Sequence, residues 1–146
     1  MLRDLESNVG VVNLLDPQDL ASTDTASALL DTKGFEGAGI VVHVGALTGV
    51  DGSNYLTPVL QECDTTVGTS FAAVAAADIV GGFTKIDATA EDSVVQVAGY
   101  IGRKRYIRVN LDYTGTGITA GVVGVVGLVG NPHTGPVTAP AAVAAT

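Results

Sequence analysis

The sequence predicts an all-β protein: an antiparallel β-sandwich or jelly roll with extended N- and C-terminal arms. Three observations lead there. From Tyr106 to Tyr113, polar and apolar residues alternate, with Ile107, Val109, Leu111 and Tyr113 on one side and Tyr106, Arg108, Asn110 and Asp112 on the other. That is the period of a strand with one wet face. The apolar part, 47% of 146 residues, is mostly valine and alanine, with 19 glycines and no tryptophan. Valine with glycine and threonine favours strands joined by tight turns. Turn signals recur at roughly 10–15 residues, giving about seven or eight strands, the spacing of a sandwich or jelly roll.

The elements follow in order. Residues 1–25 form an N-terminal arm carrying one short strand over 9–15, with Asp16-Pro17 as a breaker and a Ser/Thr/Asp cluster from Ser22 to Thr25. The sandwich occupies 26–130. Residues 26–30 lead into a turn at Asp31-Thr32-Lys33-Gly34-Phe35. Residues 38–47 form a strong strand, with Ile40, Val42 and Val44 on one face and Val41, His43 and Leu47 on the other. Residues 48–54 are a loop of types that tolerate left-handed backbone. Residues 55–63 return antiparallel, with Pro58 marking an edge position. Residues 71–82 fit a helix capped by Ser70 or a short strand plus turn. Residues 93–101 form a further strand. The strand through Tyr106–Tyr113 then turns at Thr114-Gly115-Thr116-Gly117 and returns over 118–129 as a hairpin. Gly121, Gly124, Gly127 and Gly130 recur every third residue, so alternation drops them onto both faces and allows close approach of another sheet or a subunit. Residues 131–146 carry no charge and form an extended tail.

Composition narrows the function. A formal charge of −8 argues against nucleic acid, which needs clustered cations. The longest uncharged apolar stretch, 118–130, is too short and glycine-rich for a membrane helix. The charged opening, Met1 to Glu6, does not resemble a leader, so synthesis in a cytoplasm is expected. One cysteine, Cys63, excludes an intrachain disulfide, and its acidic neighbours Glu62 and Asp64 are expected to raise its thiol pKa.

No pattern points to catalysis, a metal or a cofactor. His43 sits mid-strand among valines, and His133 lies between Pro132 and Thr134 in the tail, so neither is placed to serve a nucleophile. No Cys/His pair has zinc spacing. Asp51-Gly52-Ser53-Asn54 offers too few oxygens for calcium and reads as a solvated turn. The segment from Gly115 to Gly121 lacks dinucleotide-loop spacing.

The charge layout is more informative. Arg103, Lys104, Arg105 and Arg108 supply four of the seven basic residues, whereas residues 34–84 contain none. The cluster either neutralises acidic surroundings and blocks edge-to-edge pairing or docks an acidic protein surface. Together with Pro132 and His133 at the start of the tail, these four are the candidate protein-interface residues.

Several segments, in order, resemble a known family: Leu30-Asp31-Thr32-Lys33-Gly34-Phe35-Glu36 leading to Ile40-Val41-Val42-His43-Val44-Gly45, then Phe71-Ala72-Ala73-Val74 with Asp78-Ile79-Val80-Gly81. The most distinctive is Gly99-Tyr100-Ile101-Gly102-Arg103-Lys104-Arg105-Tyr106-Ile107-Arg108-Val109, followed by the glycine-valine strand ending at Gly130-Asn131-Pro132. Across residues 26–135 the chain resembles the head decoration, or cement, proteins of tailed bacteriophages. The resemblance implies a jelly-roll sandwich assembled as a homodimer, or alternatively a homotrimer, on the outer surface of the virion head. There it would bind between subunits of the major capsid protein and stabilise the shell, with no active site. The alternatives are another minor virion component (tail, connector or fibre-associated) or a carbohydrate-binding β-sandwich module.

Overall fold

The computed structural model describes residues 4–146; Met1, Leu2 and Arg3, which open the N-terminal arm, lie outside the described residues. Ten strands follow in chain order: β1 (Val9–Asp19), β2 (Thr25–Ala26), β3 (Leu30–Asp31), β4 (Phe35–Val44), β5 (Tyr55–Cys63), β6 (Ala72–Ala73), β7 (Ile79–Gly81), β8 (Val94–Tyr100), β9 (Tyr106–Thr114) and β10 (Val122–Pro132). They form two antiparallel sheets. The first runs β1-β10-β4-β8-β7; in the second, β9 is paired on one side by β2 and β3 and on the other by β5, which is followed by β6. The fold is a β-sandwich, as the alternation predicts.

The period-two pattern sets the core. Ile40, Val42 and Val44 of β4 and Val123, Val125 and Val129 of β10 face Leu56 and Leu60 of β5 and Ile107, Val109 and Leu111 of β9. Each is almost fully removed from water. Burying such a side chain contributes about 1.5–3 kcal/mol, so these two layers supply most of the hydrophobic stabilisation. Leu47, Val50, Ile86 and Ile118, from loops, complete the core. Ser27, the buried polar residue, is satisfied: Val109 N–H donates to its hydroxyl at 3.1 Å, and the hydroxyl donates to Ala28 C=O at 2.9 Å.

One sequence expectation is corrected. The stretches 106–114 and 118–129 are not a hairpin, because β9 pairs with β5 in one sheet and β10 pairs with β1 and β4 in the other. Strands 38–47 and 55–63 likewise fall in opposite sheets. Both links cross between layers because the two loops pair with each other. Thr48 N–H donates to Ala120 C=O at 2.8 Å and Thr119 N–H to Thr48 C=O at 3.0 Å, while Gly117 N–H reaches Asn54 Oδ1 at 2.7 Å. A turn signal specifies a reversal; it does not specify whether the chain reverses within a sheet or across the sandwich.

Other local readings resolve as follows. The N-terminal segment carries an eleven-residue strand, longer than expected, because the chain passes Asp16-Pro17 by register shifts between Asn13 and Gln18. Residues 71–82 form the short strands β6 and β7 with 3-10 turns at Gly68–Ser70 and Ala76–Asp78, not an α-helix. Pro58 fits because Leu56 N–H points away from β9 to Ile86 C=O, and Pro58, two residues on, would point the same way, where β6 does not extend. The tail runs extended over the sandwich, with Leu29 and Val143 exchanging hydrogen bonds at 2.8 and 3.0 Å and Thr146 N–H donating to Thr66 C=O at 2.8 Å.

Two measurements follow. Val109→Asp places a carboxylate at a fully buried inward position of β9 and is expected to cost about 3–5 kcal/mol, read as loss of the cooperative urea transition. The Tyr113 hydroxyl is buried with no hydrogen-bond partner among the described residues, and burial pushes its pKa up to about 12. Tyr113→Phe is expected to leave stability unchanged or raise it by up to about 1 kcal/mol. A raised folded pKa keeps its contribution below the unfolded value near 10 and loses it as pH rises through about 12, so the variant should also resist alkaline unfolding better.

Candidate functional site

The basic cluster lies in the β8–β9 connection and the first turn of β9, and three of its four side chains are engaged within the molecule. Lys104 Nζ pairs with Asp64 at 2.6 Å. Arg105 grips Asp31 with two nitrogens, Nη2 to Oδ2 at 2.8 Å and Nε to Oδ1 at 3.1 Å. Arg108 donates to Gln61 Oε1 at 2.8 Å and to Gly68 C=O at 3.1 Å, and its guanidinium lies 4.3 Å from the centre of the Phe71 ring. Arg103 is exposed, with no ion-pair partner among the described residues. The cluster therefore ties the turn at residues 31–35 and the loop at 63–71 to the second sheet, leaving Arg103 as its outward-facing cation.

Pro132 and His133 stand on the other side of that turn. Pro132 pairs with Phe35 at the end of β10, and His133 N–H donates to Gly34 C=O at 2.9 Å. Residues 31–35 thus touch both halves of the candidate set, Asp31 through Arg105 and Gly34 through His133. An open groove of about 780 Å³ runs beside them, lined by Ser7, Asn8, Glu36, Asn131, Pro132 and His133 among others.

Electrostatics at this end are structural. Burial pushes the Asp31 carboxyl up, but hydrogen bonds from Arg105 and from Lys33 N–H outweigh it and hold the carboxyl below the usual aspartate value. Tyr100 donates its hydroxyl proton to Glu62 and accepts Lys104 N–H at 2.8 Å, joining the two sheets. Burial and the Glu62 carboxylate raise its pKa well above the usual phenol value. The expectation for Cys63 is corrected: its pKa is lowered, because the Thr65 hydroxyl and N–H both lie 3.4 Å from the sulfur and outweigh the Asp64 charge.

The surface with the clearest chemical character is the outer face of the first sheet. Alternation from the buried residues places Val9, Val11 and Asn13 of β1, Val122, Gly124, Val126, Leu128 and Gly130 of β10, and Gly39, Val41 and His43 of β4 on it. Val95, Val97 and Gly99 of β8 and Val80 of β7 continue it. Val11, Val80, Val95, Val97 and Val122 are 62, 59, 56, 50 and 48% exposed. No Lys, Arg, Asp or Glu stands among these outward positions; Asp16 and Asp19 lie at one corner, past the β1 register shift. The outer face of the second sheet is more polar: beside Tyr55 and Val59 it carries Thr57, Gln61, Arg108 and Asn110, which are half-buried, and Asp112 and Thr114, which are exposed. None of these valines is among the sequence-predicted interface residues. Their signal was readable: 38–44, 94–98 and 122–129 are near-continuous apolar runs, the pattern of strands covered on both faces, while 106–113 alternates.

No protein-family model matches the sequence, and no curated protein matches it. Among solved structures, the chain is similar to a Bacillus endospore appendage protein from disulfide-linked pili, with 11% identity, a TM-score of 0.44, and 86% of this chain and 89% of that one covered. It is also similar to the CBM22-1–GH10 modules of Clostridium thermocellum xylanase 10B, solved with xylohexaose, with 17% identity and a TM-score of 0.38. That match covers 93% of this chain and 28% of the xylanase chain.

The Asp31–Arg105 pair gives a pH test. A depressed folded carboxylate pKa contributes stability above the unfolded value of about 3.9 and loses it as pH falls through the folded one. Arg105→Ala is expected to lower the melting temperature at neutral pH, with the gap from the parent closing at the acid end of a pH series.

Proposed function

We propose that this is a structural protein that works by attachment to a large protein assembly, and specifically that it decorates and reinforces a bacteriophage head. The observation that carries this reading is the contrast between the two outer faces: one polar, the other an uncharged valine-glycine sheet on a chain of net charge −8. A solvated protein does not ordinarily expose so continuous an apolar surface unless it is used for association. The intramolecular ion pairs and the tail laid over the sandwich support a rigid body suited to clamping. A protein that binds only the assembled shell stabilises it by mass action, and joined copies gain further through multivalency.

The resemblance over residues 26–135 supplies the head as the host. The glycan-binding alternative is less well supported, since the aromatic rings such a site would present are engaged within the fold, Phe35 and Phe83 against the core. Tyr100, Tyr106 and Tyr113 are buried, Lys85 covers Tyr55 at 4.6 Å and Arg108 covers Phe71.

The test is to add purified protein to heads stripped of decoration and pellet them. Saturable binding in fixed proportion to the major capsid protein, with a higher temperature of DNA release, is the expected outcome. Absence of binding, or a copy number typical of a tail or connector, rejects the reading.

A further inference from the structure

We propose that the outer face of the first sheet packs against the same face of a second copy of this chain, across a two-fold axis. This rests on the reading of that face as an association surface and assigns it to a second copy, so that the paired molecule would meet a head through its remaining surfaces. Five observations converge on a second copy.

First, β4, β8 and β10 are apolar on both sides, yet the second sheet covers one side alone. Strands of that composition call for a second covering layer. Second, charge selects the orientation. Two copies of net charge −8 repel through most of their surfaces, and this face brings them together with its carboxylates confined to one corner, at Asp16 and Asp19 of β1.

Third, the face has relief that a second copy can fill. The face carries two glycine-floored troughs beside its valine ridges. One, of about 290 Å³, is lined by Leu15, Pro17, His43, Gly45, Val122 and Gly124 among others. The other, of about 260 Å³, includes Gly37, Gly39, Val97, Gly99, Leu128 and Gly130. Ridges and troughs on one surface allow each copy to fill the other, as an isologous contact requires. Fourth, area is adequate. At about 3.3 Å per residue and 4.8 Å between strands, the five strands span roughly 650 Å² before side-chain relief is counted, close to the ~800 Å² per partner of a standard interface.

Fifth, two edge stretches of the first sheet are blunted. The β1 edge is interrupted by the register shifts around Pro17, and Gln96 of β8 clips Thr84 through its side chain, accepting from Thr84 N–H at 2.9 Å and donating to Thr84 C=O at 3.2 Å. Blunted edges favour association through the face.

Sedimentation equilibrium of the full chain tests the pairing. The parent is expected at twice the chain mass. Val97→Asp and Val126→Asp, each placing one carboxylate per copy in the apolar seam, are expected to sediment as monomers that circular dichroism shows to be folded. Asn110→Asp, on the polar face of the second sheet, should remain paired. Val97→Thr keeps the branched shape of the strand residue and is expected to raise the dissociation constant about tenfold or more, so the proposal stays testable if an aspartate variant fails to fold.

A parent that is monomeric at all concentrations, a three-copy mass, or a pair that survives both aspartate substitutions overturns the proposal. The head-binding experiment fails separately. A pair that ignores stripped heads removes the decoration reading and leaves the pairing, whereas a monomer that binds them does the reverse.

Discussion

The two sheets are held in place by the close approach of two loops, 45–54 and 114–121, at one end of the sandwich. Gly49 lies at φ +89°, and a side-chain carbon built there would stand 2.0 Å from Gly117 C=O. Only glycine both adopts that backbone and leaves room for the neighbour. Because these loops bond to each other, β4 and β5 part into opposite sheets, as do β9 and β10, and each sheet receives one member of each pair. Gly127 serves a related purpose inside: it faces Leu14 and Leu30, one from each sheet, where an added carbon would sit 3.0 Å from both. The glycines expected to permit close approach do so first within the chain itself.

Much of this was legible in the sequence, and what was not has a common cause. The facing of β9 and β4 followed from alternation alone, since burying one row of side chains exposes the other. Strand partners did not follow, because Thr114-Gly115-Thr116-Gly117 announces a reversal while the loop it would meet lies more than sixty residues away in sequence. The stretch 71–82 resisted for a different reason. Its alanines favour helix, and what overrides them is the pairing of Ala72–Ala73 with Gln61 and Glu62, together with Gly81-Gly82 at the end of the stretch. The basic cluster was visible as composition, but its destination was not. Asp31, Asp64 and Gln61 are distant in sequence, and only the closed sandwich brings Arg105, Lys104 and Arg108 onto them. Cys63 was misread because sequence neighbours show charge but not the hydrogen bonds that Thr65 directs to the sulfur.

The two outer faces divide the protein's work. The second sheet meets water with threonine, asparagine, aspartate and arginine, which supplies solubility to a chain with little other polar surface on its strands. The first sheet spends its outward positions on valine and glycine. Rigidity matters for such a surface: a sheet anchored on one side by a full hydrophobic core presents its ridges in fixed positions, so little conformational freedom is lost when something settles on it.

The kinked outer strand near Pro17 has a consequence for growth. A flat, regular border would let molecules join side by side and continue without end, as in a fibre. Here the border is broken where the chain shifts register between Asn13 and Gln18, which removes part of the regular template that such joining needs.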